Sequence, residues 1–174
     1  LADVPAPVDL LVLSIPAPQA AEAITQAADQ HLAESIVLIP GGLEEKAGNE
    51  TIVTSMREAI ARSRRTDWGG PVVNGGNCLG VRSLPGHFDT LFIPEHKLPR
   101  TTRPADPIAL VTGSGAFAVS KASKLAGLQP LYTITIGNQS TNSIVAPPHS
   151  CRKKAFISDH LPPALFPIIR TPEN

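Results

Sequence analysis

The chain has 174 residues, 42% of them hydrophobic and 17% charged, which is typical of a folded domain and not of an intrinsically disordered chain. Fifteen Lys and Arg balance fifteen Asp and Glu, so the net charge provides no general attraction to nucleic acid or to an anionic membrane. The longest apolar run, Val8 to Ile15, is far shorter than the roughly 20 residues of a membrane span. We therefore expect neither a nucleic-acid partner nor membrane insertion.

The two cysteines, Cys78 and Cys151, lie far apart and form no CxxC pair. In the absence of a signal-peptide pattern, this spacing predicts neither a disulfide framework nor a zinc site and favours a cytoplasmic location. The only methionine is Met56 and the chain starts at Leu1, so we expect further residues upstream.

Residues 8–80 alternate between strand and helix patterns. The predicted elements are strands at 8–15 and 35–39, a helix at 19–34, a second helix marked by Ile52, Met56, Ala59 and Ile60 with Asn49 or Thr51 as its cap, and a short third strand from Val72. Continuous apolar strands alternating with helices are typical of a parallel sheet with right-handed crossovers. The fold class predicted for this part is α/β, as half of a doubly wound sheet.

Four prolines between residues 94 and 107 predict an extended linker, which separates a first domain at 1–93 from a second unit at 108–139. The second unit is predicted to contain a strand at 108–111, a tight turn at 113–115, a helix at 116–126 ended by Gly127, and a strand at 131–136. Residues 140–174 hold six of the 18 prolines and no regular period, so a poorly structured tail is expected.

Candidate ligand-binding residues follow the predicted strands. Parallel strands end at one edge of a sheet, where loops and helix N-termini form a crevice. Segments 14–17, 40–44 and 74–78 should share that edge, with Glu44 or Asn77 available to ribose or amide groups. Alternatively, the glycines of these segments serve only to end the strands.

The turn Gly113-Ser114-Gly115 follows a strand and opens a helix, which suits either the loose G-x-G-x-x-A dinucleotide pattern or a phosphate site at a helix N-terminus. A nicotinamide-binding fold would place an acidic residue after the next strand, and residues 136–139 contain none. The phosphate interpretation is therefore favoured, with a closely packed structural turn as the alternative.

No histidine is predicted to be catalytic or to bind a metal, because the five lie at positions without ligand spacing: 31, 87, 96, 149 and 160. His31 is placed on the first helix. Cys78 has no recognisable base nearby and is predicted to be a small buried residue.

Taken in order, five segments resemble the NDP-forming acyl-CoA synthetases, relatives of the succinyl-CoA ligase alpha subunit and of ADP-forming acetate-CoA ligase. The resemblance covers about residues 1–139 and rests on VDLLVLSIPA (8–17), IPGGLEEKAG (39–48), NCLGV (77–81), IALVTGSGAFA (108–118) and IGNQ (136–139).

This resemblance implies a Rossmann-like CoA-binding domain, here incomplete, followed by the start of a flavodoxin-like ligase domain. The family is an acid-thiol ligase family that interconverts acyl-CoA, phosphate and a nucleoside diphosphate with acid, CoA and a nucleoside triphosphate through a phosphohistidine. The implied CoA contacts are Ile15, Pro16, Ala17, Gly41, Gly42, Glu44 and Asn77, and the implied phosphate contacts are Ser114 and Gly115.

The chain departs from the family pattern in ways that imply a fragment. The glycine-rich first turn of the CoA domain should precede Leu1, no histidine lies in a His-Ala-Gly setting, and the tail after Gln139 resembles a frameshifted or truncated reading. ATP or ADP would then bind to a nucleotide-grasp domain or subunit supplied as a partner. An incomplete sheet also exposes a strand edge and apolar surface, which favours a homo-oligomer.

Two alternatives remain open at this point. The first alternative to a synthetase fragment is a non-catalytic module that binds CoA or an adenine nucleotide. The second is an NAD-dependent oxidoreductase, for which the acidic ribose contact is missing.

Overall fold

The computed structural model describes residues 1, 3, 7–98, 103–125 and 127–138. Its elements in chain order are β1 (Val8–Leu13), α1 (Ala17–Gln30), β2 (Ala33–Leu38), α2 (Glu50–Ser63), β3 (Val72–Gly75), β4 (Val81–Ser83), β5 (Phe88–Asp89), β6 (Asp106–Thr112), α3 (Gly115–Lys124) and β7 (Pro130–Thr135). The predicted tail at 140–174 lies outside the described residues.

The first sheet is parallel, in the order β1-β2-β3, and this confirms the predicted α/β class. Helices α1 and α2 pack together on one face of the sheet. Ile24, Ile36 and Met56 are almost completely buried in the core between them. The helical period of the apolar residues places them on the one stripe of each helix that faces the sheet, which explains why these two segments fold as amphipathic helices.

The second sheet has the order β5-β4-β7-β6. Strands β6 and β7 are parallel, whereas β4 runs antiparallel to both β5 and β7. The sequence did not predict β4 and β5, because three and two residues are too short to show an alternating pattern. Both strands come from the predicted first domain and pair in one sheet with strands from beyond the predicted linker; the domain division itself stays a prediction.

The two sheets pack face to face through a second core that includes Val37, Cys78, Val81, Tyr132 and Ile134. Alternation along β2 explains this arrangement: Ile36 and Leu38 face the helices, and Val37 faces the second sheet. Strand β2 is thus covered on both faces, as its continuous apolar run predicted, whereas Val12 on the same face of β1 is 39% exposed.

Two buried polar groups connect the sheets. The Asn74 Nδ2 on β3 donates to the Thr135 carbonyl on β7 at 3.0 Å. The Thr135 hydroxyl accepts from the Gly80 N–H at 2.9 Å and donates to the Gly80 carbonyl at 2.8 Å. These bonds hold the end of β7 against the segment that joins β3 to β4, where the candidate site lies.

The predicted bounds of the first helix, 19–34, are wrong, since α1 starts at Ala17 and ends at Gln30. His31 was predicted as a helix residue, but it adopts a left-handed φ of 53° as the C-cap, and its backbone N–H donates to Ala27. Its ring stacks on Trp68 with 3.9 Å between centroids, and its Nε2 lies 2.8 Å from Glu34. The left-handed conformation of His31 ends the helix and turns the chain, so that β2 can begin two residues later, at Ala33.

The second helix begins after Asn49, one of the two predicted caps, but the Asn49 side chain does not cap it. Its Nδ2 instead donates to the Gly42 carbonyl at 2.6 Å. The carboxylate of Glu50 lies in the first turn of α2 and accepts from the Gly48 N–H at 3.0 Å. Asn49 therefore orders the loop at the carboxyl edge of the sheet.

The predicted linker contains a turn and a strand start. The backbone N–H groups of Lys97 and Leu98 donate to the Pro94 carbonyl, and Leu98 is buried. Strand β6 begins at Asp106, inside the predicted linker, and α3 has its C-cap at Leu125. Within the described ranges, no helix is both long and apolar enough to cross a bilayer.

Candidate functional site

An open cleft of about 380 Å³ lies where the two sheets meet. Four segments line it together with Phe92: Ile39 after β2, Asn77 to Leu79 after β3, Gly113 to Ala116 at the start of α3, and Asn138 after β7. Each of these segments follows the carboxyl end of a strand. The cleft therefore occupies the kind of position at which open α/β sheets bind ligands.

The start of α3 provides hydrogen-bond donors on one side of the cleft. Ser114 is the N-cap: its hydroxyl accepts from the Phe117 N–H at 3.2 Å, and its own N–H donates to the Thr112 hydroxyl at 3.1 Å. The N–H groups of Gly115 and Ala116 belong to the first turn, where a helix provides no acceptor of its own. Both residues line the cleft, so the first turn of α3 borders it.

Position 115 requires glycine, because the backbone there lies against Leu79 of the loop after β3. A Cβ at this position would lie 2.9 Å from the Leu79 Cβ, closer than side chains pack. The absence of a side chain therefore lets the start of α3 approach the loop after β3. This contact brings the predicted phosphate residues Ser114 and Gly115 next to the predicted CoA loop.

Asn77 lies on the other side of the cleft in a left-handed conformation, with φ of 52°. Its backbone N–H donates to the Pro40 carbonyl at 3.0 Å. Gly41 packs against its side chain, since a Cβ there would lie 3.2 Å from the Asn77 Oδ1. The structure thus brings together Gly41 and Asn77, two residues that the resemblance assigned to CoA.

Glu44 does not take the position expected of it. It forms an ion pair with Arg57 on α2. The neighbouring Glu45 instead faces the cleft margin, where its carboxylate accepts from the Gly42 N–H at 2.8 Å and from the Asn138 side chain. The sequence interpretation missed Glu45, because two adjacent acidic residues in a loop give no signal of which one contacts Asn138.

Ile15, Pro16 and Ala17 lie at the same edge but do not line the cleft. Pro16 is the N-cap of α1, Ala17 is buried, and the Ile15 side chain is 39% exposed. They follow β1, which the strand order separates from β3 by β2. The predicted CoA residues therefore form a row along the edge, and the cleft lies at one end of it.

Cys78 lines the cleft wall with its side chain buried, which confirms the prediction of a buried residue. The thiol donates to the Leu38 carbonyl at 3.2 Å. Burial raises the pKa of the Cys78 thiol to about 11. At neutral pH the group is thus a neutral part of the wall and a poor nucleophile.

The raised pKa of Cys78 predicts slow alkylation. Since the thiol titrates near 9.0 when solvated and near 11 when folded, its thiolate fraction at pH 8 should be about 100-fold lower in the native chain. In a Cys151→Ser variant, we expect iodoacetamide to modify Cys78 at least about 100-fold faster in urea than in buffer. Similar rates in both conditions would contradict the burial of this thiol.

The raised pKa of Cys78 also predicts how the free energy of unfolding depends on pH. The unfolded thiol loses its proton first as pH rises, so the free energy of unfolding should fall between pH 9.0 and about 11. A Cys78→Ala variant provides the reference that lacks this slope.

Three histidines belong to the described residues, and none of them lines the cleft. His31 stacks on Trp68, His87 has a left-handed φ of 54°, and His96 is exposed in a turn. His149 and His160 lie outside the described residues. A search of the described ranges finds no group of three metal-ligating side chains.

Five cleft residues lie outside the segments that were predicted to bind ligand: Ile39, Leu79, Phe92, Ala116 and Asn138. Ile39 and Asn138 follow β2 and β7, so the strand-end rule could have identified them. Phe92 had no such signal, because it follows β5, which was itself not predicted.

The comparisons with known proteins add no family to this geometry. No protein-family model matches the chain, and a search of curated proteins finds no significant match.

Proposed function

We propose that the chain is the CoA-binding part of an NDP-forming acyl-CoA synthetase, a ligase that interconverts acyl-CoA, phosphate and a nucleoside diphosphate with acid, CoA and a nucleoside triphosphate. In this proposal the first sheet is the incomplete Rossmann-like domain and β6-α3-β7 is the start of the flavodoxin-like domain. The observation that carries the proposal is the juxtaposition of Asn77, from a predicted CoA loop, with Ser114 and Gly115, from the predicted phosphate turn, in one cleft.

The row of loops at the carboxyl edge supports CoA binding. Gly41 and Gly42 present backbone without side chains, and Asn49 and Glu45 hold the Gly42 backbone in place through its carbonyl and its N–H. An ordered backbone at a strand end can approach the phosphates and amides of a long ligand closely. Because Glu44 is paired with Arg57, we assign no ribose contact to it.

The start of α3 supports the phosphate part of the proposal. The unpaired first-turn N–H groups and the positive end of the helix dipole both favour an anion. The Ser114 hydroxyl already accepts from Phe117, so this residue holds the turn in shape, and the N–H groups of Gly115 and Ala116 would bind the ligand. The phosphohistidine of the family would come from outside this chain, and ATP or ADP would bind to a nucleotide-grasp partner.

Hydrogen exchange measured by mass spectrometry tests this proposal on the full chain. We expect CoA to slow amide exchange at residues 15–17, 41–44 and 77–79, because bound ligand shields these loops, and to leave α2 unchanged. Protection confined to other segments, or no effect of CoA, would contradict the proposal.

An Asn77→Gly variant tests the side chain separately from the backbone. Glycine keeps the left-handed conformation, so the expected loss of CoA affinity, up to about 10-fold, reports the missing carboxamide. His87→Gly is the matched control, since His87 has the same backbone conformation at an exposed turn away from the cleft. Isothermal titration calorimetry measures both variants; equal affinities would remove Asn77 from the site.

A second candidate is a module that binds CoA without catalysis. It needs no histidine at the cleft, and none of the described histidines lines it; the synthetase proposal accommodates the same observation by taking its phosphohistidine from outside the chain. Incubation of the chain with ATP labelled at the γ-phosphate distinguishes the two cases. Label carried by the chain alone would contradict both cases, because both place the phosphorylated histidine outside it. Label that appears only with a nucleotide-grasp partner would support the synthetase, and no label with that partner would support the module.

A further inference from the structure

The Glu45 carboxylate places a negative charge on two hydrogen-bond donors at the margin of the cleft. It accepts from the Gly42 N–H at 2.8 Å and from the side-chain amide of Asn138. Resting on the proposed function, we infer that these two donors form an anion site for a phosphate group of CoA. In the free chain the Glu45 carboxylate occupies this site, and the phosphate displaces it on binding.

The two donors of this site come from different sheets. Gly42 lies in the loop after β2, and Asn138 follows β7, yet both N–H groups point to the same carboxylate. Carboxylate and phosphate oxygens are both charged acceptors, so donors that converge on one of them also suit the other. Asn138 lines the cleft and Gly42 belongs to a predicted CoA loop, so the site joins the two parts of the proposed binding region.

The Glu45 side chain is free to leave the donors. It is exposed, and among the described residues no cation forms an ion pair with it, whereas the neighbouring Glu44 is paired with Arg57. A released carboxylate regains its hydration, which offsets most of the hydrogen bonding that it loses. Exchange for a ligand phosphate therefore costs the protein little.

The loop backbone remains in position during this exchange. The Gly42 carbonyl accepts from the Asn49 side chain at 2.6 Å, independently of Glu45. Gly42 has φ of 79°, and a Cβ there would meet nothing within 4 Å, so space remains beside the backbone for a ligand. In the complex, the phosphate takes over the two hydrogen bonds of Glu45 and keeps the loop ordered.

A Glu45→Gln variant tests whether the carboxylate competes with CoA. Only molecules with free donors bind the phosphate, so occupation by Glu45 lowers the apparent affinity. Glutamine lacks the charge, although its side-chain carbonyl can still accept from the Gly42 N–H. If the carboxylate holds the donors in about nine of ten molecules, the variant should bind CoA about 10-fold more tightly than the unaltered chain. Isothermal titration calorimetry on the full chain measures both affinities.

Glu50→Gln is the matched control for loss of charge. The Glu50 carboxylate also accepts from a glycine N–H of this loop, that of Gly48 at 3.0 Å, but it is not bonded to a described residue of the cleft. Its variant should change the affinity less than about 2-fold, because salt screens a charge that does not contact the ligand. Equal gains in the two variants would reduce the effect to general charge and overturn the inference.

A Glu45→Gln variant that binds CoA no more tightly than the unaltered chain would also overturn the inference. Glu45 would then only order the loop, and the proposed function would stand. If neither the unaltered chain nor any variant binds CoA, the proposed function itself fails.

An Asn138→Ala background tests the second donor. Because the carboxylate and the phosphate share this donor, its removal should reduce the gain from Glu45→Gln to below about 3-fold. The same calorimetric experiment on the double variant measures this coupling. A full gain without Asn138 would show that the two donors do not act as one site.

Discussion

Replacing Gly75 with alanine is expected to lower the free energy of unfolding by more than about 4 kcal/mol, which is a large part of the roughly 5–15 kcal/mol of an ordinary domain. Gly75 has φ of 114°, a region that only glycine occupies readily. A Cβ there would lie 2.1 Å from the Leu38 carbonyl oxygen, which belongs to the backbone of the neighbouring strand. Because Leu38 and Gly75 are partners in the pairing of β2 with β3, neither backbone can move without breaking the sheet.

Gly48→Ala is the matched control for this experiment. Gly48 has φ of 94°, but a Cβ there would meet nothing within 4 Å. Its alanine variant should therefore lose only the backbone term, about 1–3 kcal/mol. Urea unfolding followed by circular dichroism measures both variants, and equal losses would show that contact with Leu38 is unimportant.

Thr135→Val is expected to cost about 1–3 kcal/mol, although it hardly changes the side-chain volume. Thr135 is completely buried, and its hydroxyl satisfies both the N–H and the carbonyl of Gly80. Valine would leave the Gly80 N–H without this partner at the junction of the two sheets, whereas the Gly80 carbonyl would still accept from the Thr135 backbone N–H at 3.1 Å. The cost of an unsatisfied buried polar group is larger than the net value of one hydrogen bond.

Thr25→Val provides the comparison for Thr135. The Thr25 hydroxyl donates to the Ala21 carbonyl at 3.0 Å within α1, so its loss leaves the helix intact. We expect a change below about 1 kcal/mol in the same urea experiment. A Thr135→Val variant as stable as Thr25→Val would contradict the assigned role of the buried hydroxyl.

The first sheet was predictable from sequence because its elements are long and strongly patterned. The apolar run at the start of β1 and the helical spacing of Ile52, Met56, Ala59 and Ile60 each point to one structure. The bounds were less predictable. The end of α1 depends on the backbone conformation of His31. The His31 ring contacts Glu34 nearby and stacks on Trp68, which lies far along the chain, so a local pattern does not reveal the stacking contact.

The candidate site was predictable where it depends on strand ends and not where it depends on side-chain pairing. Asn77, Ser114 and Gly115 follow predicted strands, and the structure places them in one cleft. The choice between Glu44 and Glu45 is made by Arg57 on α2 and by Asn138 after β7. Phe92 lies after β5, and a two-residue strand carries too little periodicity to be recognised.

The pairing of β4 with β7 has a consequence for synthesis on the ribosome. The first sheet can assemble once β3 has emerged, because all its neighbours lie earlier in the chain. Strand β4, by contrast, waits for β7, since Val81 pairs with Ile134 far later in translation. Until β7 has been synthesised, the face of the first sheet that carries Val37 is exposed to solvent. During this interval chaperone binding or aggregation can compete with folding of the nascent chain.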